Sequence, residues 1–542
     1  QQASEPRGFG QVAAGSTMFR VFFSLAIAST ASAVPLMLTD LVKSGRIAEA
    51  RNQSRIVVDG VDMGYSGFFS VPSASGKNTN NLFFWFQPCA NGCDPASAPL
   101  VQWLQGGPGA PSTFGAMAEI GNWYVDEKLR VQKRCFSWCR TRNCLFVDSP
   151  TMTGFSFQVN ATRQFDKDHI EYTKTSKDAA AQQYALLLQF FTVWPEYRPA
   201  PYWITGESYG GNYIPWLAKT VVEAPEKFNI KGISVGDPVM NSRVQWPTYA
   251  TTLYSMGLIM EDERDKLEGI FRKGVQLLDE SCEAAFTEWN RVWMDDGGTS
   301  CSPKCDFHYK NLTGSSMTAN ALLGANPKAL DYFGSFLQAH AKDFHFEGIP
   351  AAQLDEGGAV YTTMVQSGDF CQNSSDLFAQ AFLVGGLNVN VYSSTMDPLL
   401  GPPTTAAGVR AAWDYAEAHL AGGTAAKQAF YSASKSIWYV SKSDEQPAGY
   451  ARCTPAKPHR FCYVVVRNAG HMTPSFMPRA SYDMAERFLG GHAFDDSWFD
   501  ADTPSCAQCG RAAPLAGVSL PACSRGSGKK EKSQRRPAEI SI

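Results

Sequence analysis

Short apolar runs and longer amphipathic ones alternate along most of this chain. NLFFWF (81–86), APLVQWLQ (98–105), CLFVDSP (144–150), YWIT (202–205) and KGISVGD (231–237) read as strands, each running into a turn or loop. Between them, TSKDAAAQQYALLLQFFTVWPEY carries Leu and Phe at helical spacing, which predicts a helix over 175–197. Thr175 and Asp178 make its capping start and Pro195 closes it. NYIPWLAKTVVEA predicts another helix directly after YWIT and its turn. From about 240 to 370 the pattern is charged, helix-prone and without strand alternation, so this stretch reads as a helical insertion. Sheet character returns at NVNVYSS (388–394) and RFCYVVVRNAG (460–470), and RASYDMAERFL (479–489) predicts a helix ending at Gly490-Gly491. Strands alternating with helices place the chain in the α/β class.

The turn after YWIT carries chemistry. It reads GESYG, a Gly-x-Ser-x-Gly element between a strand and a helix, with Ser208 at its centre. Small neighbours permit a strained turn that lifts a serine hydroxyl out of a sheet as a nucleophile. The bare pattern also arises by chance in a glycine-rich chain, so its context decides. A nucleophilic serine needs a base and a group that orients the base, in the order Ser, Asp, His and each on a loop after a strand. Asp397 follows NVNVYSS, and His471 follows YVVVRNAG. A single histidine after a strand is more often structural; three residues in order, all at strand ends, reverse that reading. An oxyanion formed at Ser208 would need backbone donors. The Tyr209 amide is one, and the GGPG loop at 106–109 is the source of the other.

Composition narrows the classes further. The 542 residues have a formal net charge of −3, which argues against a general nucleic-acid binder. MFRVFFSLAIASTASA (18–33) starts at Met18, carries Arg20 and ends in Ala31-Ser32-Ala33, the pattern of a signal peptide. Residues 1–17 read as a leader-like segment before it. No other run is long and apolar enough for a transmembrane helix, so no membrane anchor and a soluble mature protein are expected. Fourteen cysteines, several closely grouped (Cys89/Cys93, Cys135/Cys139/Cys144, Cys301/Cys305, Cys506/Cys509), suit disulfides in an oxidising compartment. The Cys506/Cys509 pair lacks the partners of a zinc site, and no metal or cofactor is expected. Asn52, Asn160, Asn311 and Asn373 head glycosylation sequons. Residues 34–497 are read as the catalytic domain, and 498–542 as a disordered basic tail.

VQWLQGGPGAPSTFG, FVDSPTMTGFSF, FFTVWPEYRPAPYWITGESYGGNYIP, STMDPLL and NAGHMTPSFMP together resemble the serine carboxypeptidases, in matching order from about Pro35 to Gly491. The resemblance implies an α/β-hydrolase fold, a central mostly parallel sheet flanked by helices, with a helical cap insertion. It implies release of single residues from peptide or protein C-termini at acidic pH, in a lysosomal or secreted enzyme, with a homodimer left open. It makes Ser208, Asp397 and His471 the triad and Gly107 and Tyr209 the oxyanion amides. Gln105, Gly106, Glu119 and Glu207 then become substrate-binding residues, the two glutamates as a carboxyl pair facing the substrate's terminal carboxylate. Met472 lines the pocket for the terminal side chain. Ala110-Pro111, Thr151-Met152, Thr395 and Ser475-Phe476-Met477 depart from the family pattern without removing a catalytic group. Two rival classes are an acyltransferase on the same scaffold and a non-catalytic secreted binding or protective protein. Glu207 beside the serine favours the peptidase over the first, and retention of all three triad residues speaks against the second.

Overall fold

The computed structural model describes residues 35–495 and 497–499, apart from 91, 161–165, 167, 294–307, 316–318, 323–328 and 350–356. The expected leader, signal peptide and nearly all of the tail lie outside the described residues, as do Cys301, Cys305, Cys506 and Cys509.

Fourteen strands are present among the described residues. They are β1 (Arg55–Val58), β2 (Val61–Pro72), β3 (Thr79–Gln87), β4 (Leu100–Leu104), β5 (Trp123–Val125), β6 (Val131–Lys133) and β7 (Asn143–Val147). Then follow β8 (Phe157–Val159), β9 (Tyr202–Glu207), β10 (Ile230–Gly236), β11 (Asn388–Ser394), β12 (Ser436–Trp438), β13 (Gly449–Cys453) and β14 (Phe461–Val466). Twelve form one sheet in the order β1-β2-β3-β7-β4-β9-β10-β11-β14-β13-β12, with β8 beside β3, while β5 and β6 pair separately. The six strands from β7 to β14 are parallel. Antiparallel strands extend both flanks, so the whole sheet is mixed and only its centre is parallel as expected.

The apolar runs have a direct explanation. Every residue of β4, β7 and β9 is buried, as parallel strands covered on both faces require. Successive side chains point to opposite faces. In β3, Leu82, Phe84 and Phe86 enter one core while Phe83 and Trp85 enter the other. The first core is closed by helices Ser176–Val193 and Gly210–Glu223, the second by helix Pro478–Leu489. Thr175 caps the first of these helices, its hydroxyl accepting from Asp178 N at 3.0 Å. That helix stops at Val193, short of the expected 197, because Pro195 opens a separate 3-10 turn, Pro195–Tyr197.

Between β10 and β11 the described residues contain helices and no strand. The Cys282–Cys371 disulfide spans 89 residues of this insertion. In the chain-entropy picture, closing a loop of that length is worth about 4–5 kcal/mol. Cys89–Cys93, Cys139–Cys144 and Cys453–Cys462 are also bonded. Asn52, Asn311 and Asn373 are exposed, and Asn160 is half-buried. No helix among the described residues is long and apolar enough to cross a membrane.

Candidate active site

β9 ends at Glu207, and the chain turns at Ser208 with φ +60°, a left-handed conformation that a non-glycine residue adopts only under constraint. Two backbone bonds supply the constraint: Ser208 N donates to Gly236 O and Val239 N donates to Ser208 O, each at 2.9 Å. The turn is thereby pinned against the end of β10, and helix Gly210–Glu223 starts directly behind it.

The GGPG loop packs on this turn without clearance. A Cβ at Gly106 would lie 2.6 Å from Ser208 Cβ and 2.7 Å from Tyr209 N. Gly107 has φ +108°, beyond the reach of ordinary side chains, and is followed by cis Pro108. Gly106→Ala is therefore expected to push the loop off the Tyr209 amide. The loss in kcat should be about 10²–10³-fold, the size of a lost oxyanion donor. Steady-state kinetics on the folded variant check it, and an unaltered kcat would separate this loop from the reaction.

Asp397 and His471 meet at the ends of β11 and β14. His471 Nδ1 lies 2.8 Å from Asp397 Oδ2, and both side chains are buried. Asp397 Oδ1 accepts from Leu399 N at 2.8 Å, which fixes the carboxylate's rotation. Burial alone would lower the imidazole pKa, but the Asp397 charge, its hydrogen bond and Glu119 outweigh it and raise the value. The insertion supports both loops, with His471 N donating to Ala319 O at 2.7 Å and Ala321 N to Met396 O at 2.9 Å. Among the described residues, no hydrogen bond joins the Ser208 hydroxyl to His471.

Gln105, Glu119 and Glu207 form a second buried group beside this one. Gln105 Nε2 donates to Glu207 Oε1 at 2.8 Å, and Trp103 Nε1 holds Gln105 Oε1 at 2.7 Å. Both Glu119 oxygens and Glu207 Oε2 are buried without a donor from another side chain or the backbone. Burial drives the Glu119 carboxyl up to about 7, against the pull of Glu207, Gln105, His471 and Arg134. Glu207 is held well above the carboxylate range by burial and then by Glu119 itself. A proton retained on the pair is the donor these oxygens otherwise lack. Met472 is buried in the second core, directly after His471.

Several further residues position this site. Arg134 is half-buried and donates to the carbonyls of Met117, Gly121 and Trp123, gripping the turn that bears Glu119. Ser475, one of the departures from the family pattern, donates to Ala118 O at 2.7 Å and ties that turn to the His471 loop. Asp148 accepts from Thr113 N and Phe155 N, joining the loop after GGPG to the loop after β7. Tyr209 donates its phenol to Asp369 at 2.6 Å, close to the Cys282–Cys371 link. An arginine in a loop, a serine after the His471 motif and acidic residues after a strand or in a helical insertion are each too common in a sequence to be singled out.

This geometry agrees with the similarity to known proteins. The family model described as serine carboxypeptidase matches residues 60–491. A probable serine carboxypeptidase, CPVL, of Mus musculus is 30% identical over 479 residues, covering 86% of this chain and 90% of that protein. The venom serine carboxypeptidase of Apis mellifera is 30% identical over 472 residues, covering 85% and 92%. A prohormone-processing carboxypeptidase of Saccharomyces cerevisiae has the same fold, with a TM-score of 0.60, 19% identity and coverage of 81% and 96%. A buried Asp–His pair and a pinned elbow serine, set in an α/β-hydrolase sheet that matches this family from β2 onward, lead to one assignment: the chain belongs to the serine carboxypeptidase family and is a serine-type carboxypeptidase.

Proposed function

We propose that the chain releases C-terminal residues from peptides at acidic pH through an acyl-enzyme on Ser208. The observation that carries this reading is the buried Glu119–Glu207 pair, bonded to Gln105 and adjoining the elbow serine. An endopeptidase has no use for it; a site for a terminal carboxylate does.

In this mechanism the Ser208 hydroxyl attacks the carbonyl of the last peptide bond while His471 Nε2 takes its proton. The contact between them tightens as substrate docks, as is common when the free enzyme holds them loosely. Asp397 keeps the other imidazole proton on Nδ1 and stabilises the imidazolium. The Gly107 and Tyr209 amides receive the oxyanion. His471 then protonates the leaving amine, the free residue departs, and water repeats the sequence on the acyl-enzyme. Met472 and the insertion shape the pocket for the departing side chain. The disulfides and sequons, with relatives named for venom and prohormone processing, support a secretory-pathway route, lysosomal or secreted.

The sign of the pH dependence follows from the raised carboxyls. Below about 7 the pair keeps a proton and meets the substrate's carboxylate as a neutral donor. Above it Glu119 ionises and its charge repels that anion, so KM rises. Glu119 also stops raising the His471 pKa once it is protonated, so the base remains usable on the acid side. The same carboxyls bear on stability: their folded pKa is raised, so the folded chain binds a proton that the unfolded chain releases. Stability should therefore fall as pH rises from 4.5, the ordinary glutamate value, towards about 7. Thermal unfolding across that range reads the change, and a Tm that rises with pH would contradict the buried pair.

The test of function compares one peptide as free acid and as C-terminal amide, from about pH 4 to 8, in wild type and Glu207→Gln. For wild type, kcat/KM on the free acid should fall about tenfold per pH unit above the pair's titration, while the poorly cleaved amide shows no such limb. Glu207→Gln keeps a neutral donor and should flatten the limb. Titration of His471 affects both peptides alike, which separates the two causes. Matching alkaline limbs for mutant and wild type on the free acid would defeat the carboxyl-pair account.

A further inference from the structure

One buried acid lies against the triad residues and has no part in the mechanism above. Asp237 follows the end of β10 with φ +42°, another left-handed non-glycine position, fixed by its N–H donating to Tyr392 O at 2.7 Å. Its carboxyl is fully buried and reaches two loops at once. Oδ1 accepts from Ser394 N at 2.8 Å, and Oδ2 accepts from Thr473 Oγ1 at 3.2 Å. Ser394 and Thr473 are themselves joined, oxygen to oxygen, at 2.5 Å. Ser394 closes β11 and its carbonyl receives the Asp397 N–H, whereas Thr473 N donates to His471 O at 3.0 Å. Asp237, Asp397 and His471 bring side-chain ligand atoms within 4.8 Å of one another.

That spacing also suits a metal ion, but the oxygens are already engaged. Asp397 uses one on Leu399 N and the other on His471, and Asp237 uses its pair on Ser394 and Thr473. The alternative is mechanical.

We propose that Asp237 is a positioning residue of the reaction, whose carboxyl locks the Asp397 loop to the His471 loop and so sets the His471–Asp397 hydrogen bond. The lock explains why an acid is kept in a fully buried, left-handed place: it anchors to the end of β10 the two loops that are otherwise joined by Ser394 Oγ to Thr473 Oγ1 at 2.5 Å and by Met396 N donating to Ala469 O at 2.8 Å. Burial and then the Asp397 charge hold Asp237 well above the usual carboxylate range. An amide of the same shape can take its place, its oxygen accepting from Ser394 N and its NH₂ donating to the Thr473 hydroxyl, which can accept as well as donate. The proposal rests on the Ser208, His471 and Asp397 reading, so Ser208→Ala and Asp397→Asn accompany the test.

The experiment measures kcat and KM on a free-acid peptide, fluorophosphonate labelling, and the downfield proton resonance of the His471 Nδ1–H in the full chain. Asp237→Ala should lower kcat about 10²-fold, the scale of a misplacement of about 1 Å, with KM within about threefold and the resonance lost or shifted. Asp237→Asn should recover most of kcat and the resonance. Thr473→Val, which removes one arm of the lock, should lower kcat about tenfold and carries the test alone if Asp237→Ala does not fold. A resonance and kcat unchanged in the folded Asp237→Ala, or in Thr473→Val, would overturn the proposal. A loss in Asp237→Asn as deep as in Asp237→Ala would overturn it too. Activity surviving in the Ser208→Ala and Asp397→Asn controls would instead condemn the underlying mechanism.

Discussion

Ser208→Ala should abolish peptide hydrolysis, lowering kcat by about 10⁶-fold, the size of losing the nucleophile from a serine hydrolase. The residual rate over water would come from the oxyanion amides and substrate binding alone. The fold should be untouched, and the reason is local. Ser208 is held by its backbone, through Gly236 O and Val239 N, while its hydroxyl makes no hydrogen bond among the described residues. Alanine meets the same φ of +60° with the same Cβ, so the strain of the turn is unchanged. The Tm of the variant should thus stay within about 1 °C, a shift corresponding to about 1 kcal/mol in a chain of this size. Three readings belong together: kcat on a free-acid peptide, covalent labelling by a fluorophosphonate, and thermal unfolding. Labelling of the alanine variant at the wild-type rate would remove Ser208 from the chemistry. Loss of activity together with a collapse in Tm would mean that the serine acts on the fold.

What the sequence revealed and what it hid divide along physical lines. NVNVYSS became β11 residue for residue, its alternating Val389 and Val391 marking the strand although Asn390, Ser393 and Ser394 are buried polar residues. Thr175 and Asp178 marked the start of a helix because a cap is a local interaction between neighbours in sequence. Ser208 was legible for the same reason, since its glycines answer to a steric demand of the turn itself. The antiparallel flanks were not legible. β1 and β2 carry polar and exposed positions, and the β12–β13 hairpin has only three strand residues in its first arm. The locking residues were hidden more thoroughly. Asp237 sits at the end of a recognisable strand, yet its partners Ser394 and Thr473 lie about 160 and 240 positions away. Arg134 grips three carbonyls, and a carbonyl leaves no trace in the choice of side chain.

Asp397→Asn should keep substrate binding and lower kcat by about 10⁴-fold, the loss seen when an orienting carboxylate becomes an amide in this type of mechanism. The direction of the amide is decided by a neighbour. Leu399 N–H points at Oδ1 from 2.8 Å and will hold the amide oxygen there. The NH₂ group is then left facing His471 Nδ1, where Oδ2 stood at 2.8 Å. Two donors cannot face each other, so Nδ1 must give up its proton and the imidazole must carry it on Nε2. In that tautomer Nε2 cannot accept the Ser208 proton, although every atom is nearly in its wild-type place. A second consequence follows from charge. The Asp397 carboxylate is a principal cause of the raised His471 pKa, so its loss should move the acid limb of kcat/KM to lower pH. Free-acid and amidated peptides should show that displacement equally, because it belongs to the base and leaves the carboxyl pair alone. The measurement is kcat and kcat/KM from about pH 4 to 8 for both peptides, with Tm as a check on folding. A kcat within tenfold of wild type, with the acid limb in its original place, would mean that another group orients His471. The same result would deprive the Asp237 lock of its purpose, since the hydrogen bond it is built to set would have no bearing on the rate.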